Sequence, residues 1–227
     1  MGVSYSKVRS TMVKYSIPRR DNIDLSLNKP LIKPTKALCY ILGVLKGDGY
    51  CYKNQSNHYI VLENTAMPFI LSFKESLHKI GLDASKVYSR KRNYNHNEIH
   101  KTMVGSKIFF NWYKHLGIKD IIAIISQSKG ELDFIRGVYE SEGSFFLAGG
   151  KRPTLTIAST DRKLMLLTKK LVESMDLSPT FPKPQKLRSG KPYYKLYFNK
   201  QKEIKIFIDR VKPCIKRTPI YNKGSLQ

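Results

Sequence analysis

Two short stretches of the chain share one pattern: residues 41–49 read ILGVLKGDG, and residues 135–143 read IRGVYESEG. Each stretch has an apolar start, a glycine at its third position and an acid–glycine pair at its end. The two acids, Asp48 and Glu142, are 94 residues apart, and the sequence after each stretch stays similar at offsets of 93–95 residues. The repeat predicts a duplicated unit of about 94 residues behind an N-terminal extension.

Both copies of the repeat predict the same order of elements. A helix ends at the acid–glycine pair, and two strands, a second helix, two more strands and a closing helix follow. The strands are expected at 50–54, 58–63, 86–92 and 98–104 in the first unit, and at 144–148, 153–159, 183–187 and 193–198 in the second. The closing helices are expected at 106–116 and 200–211.

The predicted fold class is α+β, with two pseudo-symmetric αββαββα units and antiparallel sheets. The predicted divisions are a basic N-terminal extension (1–33), a first unit (34–125), and a second unit with a C-terminal tail (126–227). No low-complexity linker stands near residues 117–128, so we expect the two units to pack directly against each other.

The two motif helices carry small residues at positions i and i+4. These are Gly43 and Gly47 in the first copy, and Gly137 and Ser141 in the second. A glycine inside a helix costs roughly 1 kcal/mol relative to alanine, so its repetition indicates a close approach of backbones. We therefore predict that the two motif helices pack on each other through these four residues.

The same packing predicts that Asp48 and Glu142 lie side by side. Both acids are expected at the negative end of a helix dipole, where a carboxylate is unfavourable, and like charges repel. A divalent cation would offset both effects, and Mg²⁺ prefers carboxylate oxygens, water and substrate phosphate. The alternative is that each acid only caps the turn that follows it.

The composition favours a polyanionic partner. The chain has 41 Lys+Arg against 17 Asp+Glu, a formal charge of +24, with 14 Tyr and 10 Phe, which suits nucleic acid. A generic basic, ribosome-type protein is the alternative. The longest apolar run, 121–125, is far shorter than the roughly 20 residues of a membrane span, and the N-terminus lacks a signal peptide. Three separated cysteines without a CxxC pair predict neither a disulfide framework nor a zinc site, and thus a reduced, intracellular protein that is not secreted.

Alternation along the predicted strands gives each sheet one cationic, hydrogen-bonding face. A solvated face is the alternative for any single strand. The candidate DNA contacts on these strands and their loops are Tyr50, Tyr52, Lys86, Tyr88, Arg90, Arg92, Lys101, Arg152, Thr154, Thr156, Lys183, Lys186, Arg188, Lys195 and Tyr197. Arg19 and Arg20 end a short predicted helix of the extension, which is either a DNA-contacting arm or a strap on the outside of the fold.

The two motifs, with the topology that follows them, resemble those of the monomeric, two-motif LAGLIDADG homing endonucleases, over about residues 34–217. The resemblance implies a monomer that acts as a pseudo-dimer, with two β-saddles on double-stranded DNA. It implies Mg²⁺-dependent cleavage of both strands across the minor groove, which leaves short 3′ overhangs. Asp48 and Glu142 match the metal-binding acids of the family. Gly47 and Ser141 precede them in the predicted metal site, where two or more divalent ions are shared and Mn²⁺ is tolerated.

Further roles follow from the same resemblance. Asn64 is a candidate for orienting a water, and Lys119 and Lys216 are candidates for the basic helper near the metals. The resemblance also implies an element encoded in an intron or intein, acting with the host DNA in an archaeal or bacterial cytoplasm or in an organelle. His96, Asn97 and His100 formally suggest an HNH nuclease, but no second ligand cluster accompanies them.

A rival interpretation is a non-cleaving nucleic-acid binder on the same scaffold, such as a maturase that binds intron RNA. A binder has no need to keep two mutually repelling acids, so the presence of both Asp48 and Glu142 favours cleavage.

Overall fold

The structure is a computed structural model that describes residues 30–91, 98–187 and 189–219. Four predicted DNA contacts, Arg19, Arg20, Arg92 and Arg188, lie outside these ranges, as do His96, Asn97 and nearly all of the predicted extension.

Two halves with the same order of elements make up the described part of the chain. The first comprises α1 (Lys36–Leu45), β1 (Tyr50–Asn54), β2 (Asn57–Asn64), α2 (Met67–Lys79), β3 (Tyr88–Lys91), β4 (Glu98–Gly105) and α3 (Lys107–Lys114). Helix α4 (Ile118–Ser128) connects them. The second comprises α5 (Glu131–Glu142), β5 (Gly143–Ala148), β6 (Arg152–Ser159), α6 (Arg162–Glu173), β7 (Gln185–Lys186), β8 (Pro192–Phe198) and α7 (Gln201–Val211).

Each half contains a four-stranded antiparallel sheet, in the orders β1-β2-β4-β3 and β5-β6-β8-β7. Ile60, Leu62 and Val104 of the first sheet, and Leu155 and Ile157 of the second, join one core with the helices. The helices therefore cover one face of each sheet and leave the other face free for a ligand. The α+β class with antiparallel sheets is confirmed.

Side-chain caps fix where several helices begin. The Thr35 hydroxyl accepts a hydrogen bond from the Leu38 amide before α1, and the Ser106 hydroxyl accepts one from the Phe109 amide before α3. The Asp161 carboxylate accepts hydrogen bonds from Lys163 and Leu164 before α6. These caps satisfy amides that the first turn of a helix leaves unpaired.

Two local predictions were wrong. Helix α4 occupies the stretch that the repeat suggested was only a boundary, because Ile121 and Ile125 are buried one turn apart and the Asp120 carboxylate accepts the Gly117 amide at 2.8 Å. Helix α1 ends at Leu45 instead of Asp48, because the amides of Gly47 and Gly49 both return to the Val44 carbonyl. Strands β3 and β7 are also shorter than predicted.

The motif helices α1 and α5 pack backbone against backbone. A Cβ atom added at Gly43 would lie 2.4 Å from the carbonyl oxygen of Phe134, and one at Gly137 would lie 2.4 Å from that of Tyr40. Just beyond α1, a Cβ at Gly47 would lie 2.3 Å from the Cβ of Ser141. All four small motif residues therefore stand where no larger side chain fits without movement of the chain.

Within the described ranges, no helix has the length and apolar character needed to cross a membrane.

Candidate active site and nucleic-acid interface

Asp48 and Glu142 lie at the junction where the two motif helices end. Asp48 sits in the turn after α1, and Glu142 is the last residue of α5. Burial raises the pKa of Glu142 to about 6, the negative charge of Asp48 raises it further, and the charge of Lys216 opposes both effects. The influence of Asp48 on Glu142 indicates that carboxyls from the two halves share one electrostatic environment.

Asn64 supports Asp48 from the end of β2. The Asn64 side-chain amide donates to the Asp48 carboxylate at 3.0 Å, while its carbonyl oxygen accepts the Ala66 amide at 2.9 Å. Asp48 keeps exposed surface, yet burial by the surrounding chain raises its pKa, against the charge of Lys216 and the hydrogen bond from Asn64. Asn64 therefore links the first acid to the start of α2.

Lys216 is the cation at this junction. Its Nζ donates to the carbonyl oxygens of Glu140 at 2.7 Å and Ser141 at 3.0 Å, in the last turn of α5. A cation is favourable there because the C-terminal end of a helix is its negative end. Burial lowers the pKa of Lys216, and the charges of Asp48, Glu142 and Glu140 oppose that change.

The structure does not give Lys119 the same position. Lys119 is exposed on α4, and Lys216 is the predicted lysine whose charge acts on both acids. The physical reason is that residues after α3 enter a helix at Ile118, whereas residues after α7 continue as a loop toward α5.

The free face of the first sheet carries most of its predicted DNA contacts. The pairing register puts Tyr50, Tyr52, Tyr88, Arg90 and Lys101 on the same side of the sheet. The side chains of Arg90 and Glu63 form an ion pair at 2.5 Å on this face. Lys86 is exposed just before β3.

Tyr59, which sequence reasoning missed, extends the aromatic surface of this face. Its ring stacks on Tyr52 at 5.2 Å, and Tyr52 lies 5.9 Å from Tyr50. Alternation from Tyr59 to Val61 and Glu63 along β2 was the signal that could have identified it.

The second sheet agrees only in part with the predicted contacts. Arg152, Lys195 and Tyr197 share its free face, and the Lys195 Nζ lies 4.9 Å from the centroid of the Tyr197 ring. Thr154 and Thr156 lie on the same face but are only 5% and 2% exposed, so they form its floor and cannot contact a ligand directly.

Two lysines near β7 also differ from one another in position. Lys186 pairs with Pro192, which projects from the opposite face, so its prediction as a contact on the free face was wrong. Lys183 is exposed in the loop before β7. The physical reason for the change at Lys186 is that β7 contains only two residues, and the pairing of Gln185 with Tyr193 fixes their register.

Sequence reasoning also missed Tyr193 and Glu140. Tyr193 shares the free face with Lys195 and Tyr197, and its pKa is raised first by burial and then by the charge of Glu142. Its spacing of two and four residues from the predicted contacts was the available signal. Glu140 is fully buried at a motif position whose counterpart in the first half is Lys46, so the repeat gave no signal for it.

Comparison with known proteins identifies part of this architecture, because residues 129–212 match the LAGLIDADG-like domain family. This segment is a LAGLIDADG-like domain. An uncharacterized protein of Methanocaldococcus jannaschii is 34% identical over 165 residues, which are 66% of this chain and 62% of that protein. The chain thus spans less than two thirds of this relative's length.

Solved structures share the fold. The N-terminal LAGLIDADG domain of DUF199/WhiA superposes with a TM-score of 0.57 at 17% identity, over 82% of this chain and 85% of that domain. Full-length DUF199/WhiA from Thermatoga maritima gives 0.56 at 18% identity, over 84% of this chain and 60% of the other. I-DmoI in complex with DNA and Mn gives 0.55 at 17% identity, over 79% and 97%. The fold is therefore homing endonuclease-like.

Proposed function

We propose that the protein is a site-specific endonuclease that hydrolyses double-stranded DNA with divalent metal ions held by Asp48 and Glu142. The observation that carries this proposal is the meeting of two carboxyls, one from each half, with the pKa of Glu142 raised to about 6 partly by Asp48. Burying one carboxyl beside another destabilises both carboxylates, and such perturbed groups are typical of functional sites.

The donor set fits Mg²⁺ bound together with a substrate. Among the residues that the structure describes, no cluster of three His, Cys, Asp or Glu side chains could hold an ion alone. Mg²⁺ is usually held by one or two carboxylates plus water and substrate phosphates, which is what Asp48 and Glu142 offer. The neighbouring Gly47 and Ser141 belong to the same proposed site, and Mn²⁺ is expected to substitute. When bound, the metal ions supply Lewis-acid stabilisation of the phosphodiester and lower the pKa of a water.

The chain's own residues prepare this chemistry. Asn64 holds the Asp48 carboxylate through its side-chain amide. Lys216 brings a positive charge beside the acids, where it would face the negative charge that develops on a reacting phosphate. The two carboxylates hold the metal ions in a position shared by both halves.

The free faces of the two sheets are the proposed DNA surface. They carry tyrosines, lysines and arginines that suit phosphates and base edges. I-DmoI, which shares the fold, is known in complexes with DNA and Mn, with its target DNA in the presence of Mg, and with DNA and Ca. By the resemblance, one chain acts as a pseudo-dimer and cuts both strands across the minor groove, leaving short 3′ overhangs. We further propose that it is encoded by an intron or an intein-like element and acts on the host DNA.

One observation favours a second candidate, a non-cleaving nucleic-acid binder such as a protein that binds intron RNA. The Lys216 ammonium already offsets part of the charge of Asp48 and Glu142 without a metal. The fold is also as similar to DUF199/WhiA as to I-DmoI.

The two candidates differ in one assay. The purified full chain is incubated with the intron-free allele of its host gene, with Mg²⁺ or with EDTA. An endonuclease produces one double-strand break with short 3′ overhangs only in Mg²⁺. Specific binding without any break would instead support the non-cleaving binder.

A further inference from the structure

A short segment after α7, residues 212–217, crosses the C-terminal half of α5; we call it the C-terminal strap. Two of its residues, Lys212 (φ 49°) and Lys216 (φ 57°), have left-handed backbone conformations that only glycine adopts without strain. Such conformations persist when surrounding contacts fix them. The strap therefore has a defined path that α5 must help to hold.

Glu140 provides a buried anchor for the strap. Its carboxylate is fully buried and accepts three hydrogen bonds, from the Tyr40 hydroxyl at 2.5 Å, the Arg136 Nε at 2.9 Å and the Cys214 amide at 2.6 Å. Arg136 also donates to the Ser72 hydroxyl at 2.7 Å. One buried carboxylate thus connects helices of both halves to the backbone of the strap.

A second set of contacts fixes the strap two residues later. The Tyr139 hydroxyl donates to the Lys216 carbonyl at 2.8 Å, and the Lys216 Nζ donates to the carbonyls of Glu140 and Ser141. Lys216 is thereby held at the helix end where Glu142 and Asp48 meet.

We infer that Glu140 is a positioning residue, which holds the Lys216 ammonium beside Asp48 and Glu142 by binding the Cys214 amide. A buried carboxylate is costly unless it is fully paired, and loss of its partners is strongly destabilising. Its carboxylate uses one of three hydrogen bonds to fix the strap. The catalytic consequence of this positioning rests on the proposed function, but the positioning itself does not.

The corresponding residue of the first half supports the assignment. That residue is Lys46, whose Nζ lies 5.6 Å from the centroid of the Tyr113 ring. Lys119, at the end of the first repeat, lies exposed on α4. Of these two repeat-end lysines, only Lys216 is held by a buried acid at the shared junction, so the loss of Glu140 should affect both acids at once.

The first test measures the strap without any cleavage. Glu140→Gln keeps the size of the side chain and removes its charge, and Glu203→Gln is the matched control on the distant helix α7. We expect faster amide hydrogen exchange in residues 212–217 of the Glu140 variant, and faster acylation of Lys216 relative to Lys200. Exchange and acylation equal to those of the control would overturn the inference.

The second test asks whether Glu140 acts through Lys216. Glu140→Gln and Lys216→Met are each expected to reduce the rate of DNA cleavage about 10- to 100-fold, the range seen when groups that orient a site are lost. Equilibrium DNA binding, measured in Ca²⁺, should stay unchanged. The double variant should cleave no more slowly than Lys216→Met alone, and multiplicative losses would contradict a shared route.

A further pair of variants covers the case in which Glu140→Gln does not fold. Cys214→Pro removes the amide donor and leaves the buried charges intact, whereas Cys214→Ala keeps the donor. Faster exchange and acylation in the proline variant alone support the inference, and equal behaviour overturns it. If the wild-type chain cuts no DNA, the proposed function fails, while exchange and acylation still decide the positioning role.

Discussion

Glu142 ends helix α5 at the negative end of the helix dipole, and Asp48 adds a second acid beside it. Neither feature favours folding, because both destabilise an ionised carboxylate. Lys216 and Asn64 offset part of the cost. At the scale of single residues, the junction therefore has the properties of a site that keeps unfavourable charges for the sake of a ligand.

The pH dependence of stability tests the pKa of Glu142. Its folded pKa of about 6 lies above its ordinary value of 4.5, so the unfolded chain loses this proton first as the pH rises. The stability contributed by this group is fully present below pH 4.5 and is lost as the pH rises through about 6. The loss is about 1–2 kcal/mol, since one pKa unit corresponds to about 1.4 kcal/mol.

Glu142→Gln removes this titration. In EDTA, urea unfolding should show that the variant gains stability relative to the wild type between pH 5 and pH 8. A difference between the two proteins that is the same at both pH values would contradict the raised pKa.

Sequence reasoning at the residue scale worked where the two halves repeat and failed where they differ. Asp48 and Glu142 stand at equivalent positions, so the repeat alone predicted them. The contrasting positions of Lys216 and Lys119 depend on whether a loop or a helix follows the last helix of each half, and the symmetry of the repeat hides this difference. The role of Glu140 depends on partners from Tyr40 to Cys214, far apart in sequence.

At the scale of elements, the packing of α1 on α5 determines the geometry of the junction. The backbones approach so closely that the acids at the two helix ends influence each other. Small residues at i and i+4 predicted this approach from sequence. The end of α1 at Leu45 and helix α4 were not predicted, because one depends on a turn of two glycines and the other has no counterpart in the repeat.

Gly43→Ala tests the close packing. The added Cβ would lie 2.4 Å from a backbone oxygen, which cannot move away as a flexible side chain could. We expect a loss of about 1–3 kcal/mol, typical of overpacking, despite the higher helix propensity of alanine. Urea unfolding measures it.

Gly105→Ala is the matched control, since its added Cβ would meet its nearest neighbour, the His58 carbonyl oxygen, at 3.8 Å. This variant should change stability by less than about 1 kcal/mol. Equal effects of the two substitutions would argue against tight contact between the motif helices.

At the scale of the whole molecule, the charge of +24 is distributed on a scaffold with two free sheet faces. Lys101 and Arg152 lie on these faces, one in each half. A surface made from both halves can contact a longer stretch of duplex than either half alone, which the proposed cut of both strands requires.

The salt dependence of DNA binding tests this arrangement. Lys101→Gln and Arg152→Gln should each reduce the slope of log affinity against log salt by about 1, because each removes a phosphate contact. Lys170→Gln is the control, because Lys170 is exposed on α6, which packs on the covered face of the second sheet. An equal reduction by Lys170→Gln would mean that DNA does not bind specifically to the free faces.

The central claim is that one acid from each half is needed for metal-dependent cleavage, and paired binding and cleavage assays of Asp48→Asn and Glu142→Gln test it most directly. Each variant should bind the target duplex in Ca²⁺ with nearly wild-type affinity and should fail to produce the double-strand break in Mg²⁺. Undiminished double-strand cleavage by either variant would contradict the claim.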